Sequence, residues 1–338
     1  MPYIYDYTIH CQNSLEKLKE IEPNSIDCIL TDPPYALESI VKRFKNGPPV
    51  IDRDGQYERL ARGFMGQDWD DDVAFQKEFW QLCYSVLKPG AHVVAFSHEK
   101  TYHRLASAME HWFDIRGMFT WTYKTGFPKG RDIAKDIDKI IMGEHFDPKE
   151  IQSEEARKYI GTNVALKPCF EPAAIARKPI EQSSIARQVL DSGTGGINIG
   201  HLMRWPTNSF YTPKPSRDER DQGCKHLKPT KGFEAVKRKE NSPGLNNPRA
   251  GAGRLNTEIY NHHPTVKPIE LFSHLTKIFC PKGGTILDPF CGSGTTGVAA
   301  IKNERNFIGI ELSKEYCEIA QARCEHQLSQ NIQMTIPW

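Results

Sequence analysis

Short apolar runs alternate with helix-spaced apolar positions over the first 124 residues, and the same alternation returns from Pro264 onward. Residues 7–10 predict a strand, 14–21 a short helix with Leu15 and Leu18 on one face, and 26–31 a buried strand. Phe75, Phe79, Leu82, Cys83 and Val86 recur at helical spacing over 75–87, and Lys88-Pro89-Gly90 stops that helix. A strand over 91–97, a helix over 99–112 and a strand over 115–123 follow. Beyond Gly126-Phe127-Pro128 the periodicity weakens, and only 169–177 reads as a further strand, a candidate partner for 115–123. Later, Leu271, Phe272, Leu275, Ile278 and Phe279 mark a helix over 269–279. A strand to Asp288, a helix through Ala300, the strand Phe307-Ile308-Gly309-Ile310 and a helix from near Ser313 complete the pattern. The alternation predicts an α/β fold: a Rossmann-like, mostly parallel twisted sheet with helices on both faces.

Two of these strands end abruptly in an acid and a proline. The strand over 26–31 runs into Asp32-Pro33-Pro34-Tyr35, and Gly284-Thr285-Ile286-Leu287 runs into Asp288-Pro289-Phe290-Cys291-Gly292-Ser293-Gly294-Thr295-Thr296. Both place polar chemistry at the carboxyl edge of a parallel sheet, where open α/β sheets bind ligands.

Composition narrows the class. The chain has 338 residues, 38% hydrophobic and 25% charged, enough for one large α/β domain or for one domain carrying a sizeable insertion. No run approaches the ~20 apolar residues of a membrane span. The N-terminus, Met1-Pro2-Tyr3-Ile4-Tyr5-Asp6, lacks the basic and apolar regions of a signal peptide. The nine cysteines form no Cys-x-x-Cys pair, and Cys28, Cys83 and Cys291 fall in apolar segments, so reduced thiols and a cytoplasmic location are expected. No His or Cys group has metal-ligand spacing.

The formal charge of +2 is unevenly spread, since residues 178–262 hold 14 Lys/Arg against 8 Asp/Glu. Gly and Pro supply 16 of those 85 residues, which suits a linker, whereas Trp205, Phe210, Tyr211 and Phe233 suit a folded or folding-on-contact region. Three parts are expected: 1–177, an inserted basic region over 178–262, and 263–338.

The loop from Asp288 to Thr296 matches neither the Gly-x-Gly-x-x-Gly spacing nor a P-loop. Gly292 and Gly294 are read as allowing close approach of the backbone to a ligand. Glu311 ends the next strand, 17 residues after Gly294, where a Rossmann-like unit places the carboxylate that accepts ribose hydroxyls. With no basic side chain in the loop to meet a phosphate, a nucleoside without phosphates fits better than a dinucleotide. S-adenosylmethionine answers that description, and Phe290 offers its sulfonium an aromatic face. The competing reading is a structural Gly-rich turn with Glu311 solvated.

The prolines of Asp32-Pro33-Pro34-Tyr35 hold the backbone extended and turn the carbonyl between them outward. That carbonyl and the Asp32 carboxylate are two acceptors for the two N–H donors of an exocyclic amine. Tyr35 then supplies an aromatic face for the ring bearing the amine. On this reading the face matters and the hydroxyl does not.

The combination resembles the β group of amino-group DNA methyltransferases, in which Asp-Pro-Pro-Tyr precedes Asp-Pro-Phe-Cys-Gly-Ser-Gly-Thr-Thr. His263-Pro264-Thr265-Val266-Lys267-Pro268 is similar to that group's flanking motif, and Asn306 to Glu311 to its second cofactor strand. Tyr123 to Pro128 and Glu171-Pro172 through Pro179 resemble prophage-type adenine methylases. The resemblance implies methyl transfer from S-adenosylmethionine to adenine N6 in flipped-out double-stranded DNA, in a restriction-modification or prophage setting, without a metal. Cytosine N4 and, less favoured, an RNA base are the alternatives. It implies catalytic roles for Asp32, Pro33, Pro34 and Tyr35. Cofactor contacts are implied for Asn13, Asp32, Thr265, Lys267, Asp288, Phe290, Gly292, Gly294, Thr295 and Glu311. The basic insertion becomes the target-recognition region, with Arg187, Arg204, Arg217, Arg220, Lys237, Arg238, Lys239, Arg249 and Arg254 as candidates and the loop 39–72 as the other place for specificity. A homodimer is compatible with the family. One position departs from the pattern: Gln12-Asn13 stands where the family has Gly-Asp. Asn13 is then either an amide acceptor for the cofactor's adenine or an ordinary turn residue.

Overall fold

In the computed structural model, which describes residues 5–35, 50–51, 58–59, 72–126, 130–200, 205–231 and 258–335, eight strands form one sheet. The strands in chain order are β1 Tyr7–Cys11, β2 Ile26–Thr31, β3 Val50–Ile51, β4 Glu58–Arg59, β5 Leu87–Phe96, β6 Asp114–Thr122, β7 Phe170–Arg177, β8 Ser209–Tyr211, β9 Thr230–Lys231, β10 Glu258–Ile259, β11 Thr285–Asp288 and β12 Asn306–Glu311. The large sheet runs β1-β12-β11-β2-β5-β7-β6-β8, and β3–β4 and β9–β10 are separate two-residue ladders. From β1 through β5 the neighbours are parallel, and β7 lies antiparallel to β5. The expected neighbourhood of 169–177 and 115–123 is present as β7 beside β6.

All six residues of β2 are buried, as a parallel strand covered on both faces requires. Cys28 sits opposite Ile286 and Ile29 opposite Leu287, so strands from the two ends of the chain are central neighbours. Beyond β11 the sheet continues to β12, and beyond β2 to β5. The connection order therefore reverses between β2 and β11, at a topological switch point. Asp32 and Asp288 leave the sheet together there.

Two sequence-derived boundaries move. The helix expected over 14–21 ends at Lys17, because the Lys19 and Glu20 amides bond to the carbonyls three residues back, Glu16 and Lys17. The strand expected over 91–97 begins at Leu87, which pairs with Ile26, so Lys88-Pro89-Gly90 lies within the strand. Around the sheet, Leu18, Ile29, Phe79, Trp80, Val93, Leu105, Leu287 and Ile310 bury together. The Trp80 indole N–H donates to the Ala74 carbonyl at 2.9 Å, so this ring is buried without an orphaned donor.

The chain divides into two units, residues 1–121 with 171–338, and Thr122–Phe170. In the second unit the helix Ile133–Met142 starts where the Asp132 carboxylate accepts the Lys135 amide at 3.3 Å. Asp138, on that helix, accepts the amides of Gln152 and Ser153 and the Ser153 hydroxyl at 2.6–2.8 Å. This division falls inside the 1–177 segment that the sequence treats as one part.

The described part of 178–262 is folded and belongs to the first unit, with helices Ile185–Ser192 and Arg217–Asp221 and strand β8. Lys178 is 5% exposed, and its ammonium donates to Asn24 Oδ1, Tyr84 O and Leu87 O at 2.8–2.9 Å. Its positive charge is thus spent on the fold. Lys178→Met is expected to lower unfolding stability by about 1–3 kcal/mol, because it strands buried acceptors. Urea denaturation of the full chain measures this.

Candidate active site

At the end of β2 the Asp32 carboxylate meets a cation and a phenol. The Lys267 ammonium bonds to Asp32 Oδ2, and the Tyr35 hydroxyl donates to Asp32 Oδ1 at 2.6 Å. A second carboxylate, Glu171 near the start of β7, lies 3.2 Å from the Tyr35 hydroxyl and 3.4 Å from the Lys267 ammonium, both through Oε2. Lys267 is 6% exposed in its side chain, against 18% for Asp32 and 17% for Glu171, so the pairing is screened little. Burial drives Asp32 above its ordinary range with help from Glu171, and Lys267 foremost, then the Tyr35 hydrogen bond, opposes this. Burial also works against the charge on Lys267, but Asp32 and Glu171 outweigh it and hold the ammonium protonated. Burial and the same two carboxylates push the Tyr35 phenol well above its usual value, so it stays a hydrogen donor.

Two residues of the expected site meet at Asp32. Lys267, expected among the cofactor contacts, is placed on the Asp32 carboxylate. The Tyr35 hydroxyl, expected to be idle, bridges two acids, while the ring also stands edge-on to His98 at 6.3 Å. Tyr35→Phe is accordingly expected to slow turnover roughly tenfold, the worth of one hydrogen bond to a charged group. Tyr35→Ala is expected to cost clearly more, since the face goes too. Single-turnover rates of the two variants check the order. Glu171 had no role in the sequence reading; its signal is an acid followed by proline at the head of an otherwise apolar strand.

At the end of β11, Asp288 is 2% exposed, and Thr31 Oγ1 (2.6 Å), Thr296 Oγ1 and the Phe290 amide (3.1 Å) all donate to it. Burial raises its carboxyl to about 6 against those bonds. Asp288 therefore ties the end of β2 to the start of the helix Thr295–Lys302. Thr295 is likewise engaged: its hydroxyl donates to the Lys267 carbonyl at 3.4 Å and lies 3.1 Å from Arg323 Nη1. These two brace the loop between the strand ends.

The glycines answer to the protein's own packing. Gly292 and Gly294 have φ of +49° and +77°, backbone that favours glycine. A Cβ on Gly292 would meet His263 Nε2 at 2.8 Å, and one on Gly294 would meet the Ala320 backbone at 2.9 Å. On the side where a Cβ would stand, the space that glycine leaves is filled by His263 and by the helix Lys314–Thr335. Burial holds the His263 imidazole neutral, its pKa lowered to about 3.

Glu311 closes β12. Its Oε2 accepts the Gly292 amide at 3.0 Å and its Oε1 the Ser313 amide at 2.8 Å. A carboxylate accepts more hydrogen bonds than these, which suits a vicinal diol, and this pair of acceptors fits the ribose of S-adenosylmethionine. Beside it Leu312 is apolar and 61% exposed, a surface the sequence reading missed. Phe290 is half-buried, with its ring 5.2 Å from that of Phe79. Asn13 is exposed and caps the helix Ser14–Lys17, its side-chain oxygen accepting the Leu15 amide at 2.8 Å. It stands two residues beyond Cys11, which pairs with Glu311. The Thr265 amide lies 3.4 Å from His263 Nδ1. Among the described residues no group of His, Cys, Asp and Glu is arranged to hold a metal, and no helix is long and apolar enough to cross a membrane.

Of the candidate DNA-reading cations, Arg187 is exposed, whereas Arg220 donates to the His263 carbonyl at 2.5 Å and braces the site. Arg217 opens the helix Arg217–Asp221. Arg204, Lys237, Arg238, Lys239, Arg249 and Arg254, and the loop 39–72 apart from Val50–Ile51, Glu58–Arg59 and Asp72, lie outside the described residues.

The family model described as DNA methylase, covering N6 and N4 methyltransferases, matches residues 26–322. The Type II methyltransferase M.HindIII of Haemophilus influenzae is 25% identical over 333 residues, covering 93% of this chain and 94% of its own. The DNA adenine methyltransferase YhdJ of Escherichia coli is 24% identical over 318 residues, 94% of this chain and 82% of its own. Among solved structures, PvuII DNA methyltransferase (cytosine-N4-specific) shares the fold with a TM-score of 0.54 at 15% identity, covering 96% of this chain and 90% of its own.

Proposed function

This chain belongs to the N6/N4 family of S-adenosylmethionine-dependent DNA methylases, and from that premise we propose that it methylates adenine N6 at a specific DNA site. The observation that carries the reading is Asp32: both its oxygens hold hydrogen donors at the carboxyl edge of the sheet, beside the loop that leads to Glu311. An exocyclic amine is a donor of the same kind. An acid at the first position of the tetrapeptide favours adenine over cytosine in this family, and the relative YhdJ is named an adenine methyltransferase.

S-adenosylmethionine, when bound, supplies the methyl group. The rest is positioning by the chain. A base must leave the duplex to be reached. Asp32 and the Pro33 carbonyl accept the two N–H bonds of its amino group, and the Tyr35 ring stacks on the base. Pro34 keeps that carbonyl out of a helix. Holding the amine at a fixed angle contributes rate by making the encounter intramolecular. Glu311, Phe290 and Leu312 bind the cofactor, with Asn13 and Thr265 at its rim. Asp288, Thr295, Gly292 and Gly294 shape the loop.

Residues 1–177 and 263–338 act as catalytic and cofactor halves, and 178–262 supplies most DNA contacts through its excess of Lys and Arg. Reversing Lys237, Arg238 and Lys239 together is expected to flatten the slope of log affinity against log salt, by about 0.9 for each phosphate that is no longer neutralised. Cofactor affinity should stay unchanged. An unaltered slope in a filter-binding titration would move DNA recognition elsewhere, to the loop 39–72.

The test of the base is chemical. DNA treated with the protein and S-adenosylmethionine is digested to nucleosides and resolved by mass spectrometry. N6-methyldeoxyadenosine is the expected product. N4-methyldeoxycytidine would overturn the adenine reading, and methylation of RNA alone would overturn DNA as the substrate.

A further inference from the structure

We propose that the Lys267 ammonium occupies, in the free protein, the seat that the target amino group takes, and that Glu171 is the second holder to which the ammonium moves when the base arrives. The proposal rests on the reading of Asp32 as acceptor of the amine. One cation lies between two acids: bonded to Asp32 Oδ2, and 3.4 Å from Glu171 Oε2. The Tyr35 hydroxyl joins the same two acids from another direction, at 2.6 and 3.2 Å.

A charged donor outcompetes an uncharged amine for a carboxylate oxygen. The ammonium must therefore leave Asp32 for the base to be held there. It is too buried to leave for water without a large desolvation cost. Glu171 removes that cost, because a shift between neighbouring carboxylates exchanges one ion pair for another. The Lys267 backbone stays fixed meanwhile, since its carbonyl accepts from Thr295 and Pro268 follows it. Lys267 also has an electrostatic duty. Two acids bridged by one phenol would repel, and one would take up a proton. A protonated Asp32 has lost acceptor capacity for the amine.

The charged and titratable groups facing Asp32 are Lys267, Glu171, Tyr35 and the buried Asp288, and the Lys267 charge helps to hold the buried His263 neutral. Removing Lys267 takes away the charge that favours ionised Asp32, so the acid limb of the transfer rate should move up by about 1–3 pH units. Removing the Glu171 charge favours ionised Asp32, so the limb should move down. At the same time the ammonium loses its second holder, and KM for DNA should rise several-fold with kcat changed less. Lys267 and Glu171 are positioning residues, acting through Asp32.

The experiment compares Lys267→Met, Lys267→Arg and Glu171→Gln with the parent, using plasmid DNA as substrate. Two readouts are taken: the pH profile of single-turnover transfer, and carbon NMR titration of the aspartate carboxyls in the cofactor-free protein, with Asp32 assigned by Asp32→Asn. Opposite shifts for Lys267→Met and Glu171→Gln in both readouts, with Lys267→Arg restoring the parental limb, support the proposal. Shifts of the same sign, or an unmoved Asp32 titration, overturn it. A merely structural role would lower the folded fraction without moving either curve. The NMR arm needs no transfer: a protein inactive on DNA would refute the methylation reading and with it the seat of the amine, while the titration alone would still decide whether Lys267 and Glu171 set the ionisation of Asp32.

Discussion

Replacing Asp32 by alanine is expected to lower the methyl-transfer rate by about a hundredfold to a thousandfold, the effect of removing one preorganised polar group from a water-excluded reaction site. Cofactor affinity should stay close to the parent's. The carboxylate projects beyond the last residue of β2 and takes part in no ladder bond of the sheet. The side chains it leaves behind also have another partner, because Lys267 and Tyr35 both lie within bonding reach of Glu171. The loss should thus appear in chemistry rather than in folding. Single-turnover transfer at saturating S-adenosylmethionine measures it, with thermal melting as the control. Near-normal turnover would remove Asp32 from the reaction.

Glu311→Ala is expected to raise the dissociation constant for S-adenosylmethionine about tenfold to a hundredfold. A carboxylate accepting two hydroxyls makes charge-assisted bonds worth about 1.5–3 kcal/mol, and each ~1.4 kcal/mol is tenfold in affinity. The variant also frees the amides of buried Gly292 and half-buried Ser313, so thermal melting of the variant is recorded as the control for the fold. At saturating cofactor the rate should recover. Calorimetry of cofactor binding shows the change, and an unaltered dissociation constant would place the ribose elsewhere.

The central strands and both strand-end acids were legible because each is local. A buried run ending in Asp-Pro needs no partner to be recognised, and β2 and the helix Ile269–Phe279 have the bounds that their patterns give. Residue roles that depend on distant segments were not legible. Lys267 and Asp32 are 235 positions apart and Glu171 and Tyr35 136, so no spacing rule joins them. Asp288 looks the same in sequence whether it faces a ligand or, as here, Thr31 and Thr296. The glycines show the same limit: a Gly-rich loop announces close approach but not that His263 and Ala320 stand where a Cβ would be. The helix Ile133–Met142 did carry a signal, with Ile133, Ala134, Ile137, Ile140 and Ile141 at helical spacing after the Asp132 cap. It escaped because Ile140 and Ile141 are exposed and the flanks are rich in Gly, Pro and charge.

That β2 presents the group that holds the target base, and β12 the group that holds the cofactor, is tested most directly by one titration. Initial rates of methyl transfer to plasmid DNA are recorded against S-adenosylmethionine concentration for the parent, Asp32→Ala and Glu311→Ala. The expected curves cross roles: Asp32→Ala saturates at the parent's concentration with almost no rate, and Glu311→Ala reaches much of the parent's rate at far higher concentration. Curves in which both variants lose rate and affinity together would contradict the division of labour between the two strand ends.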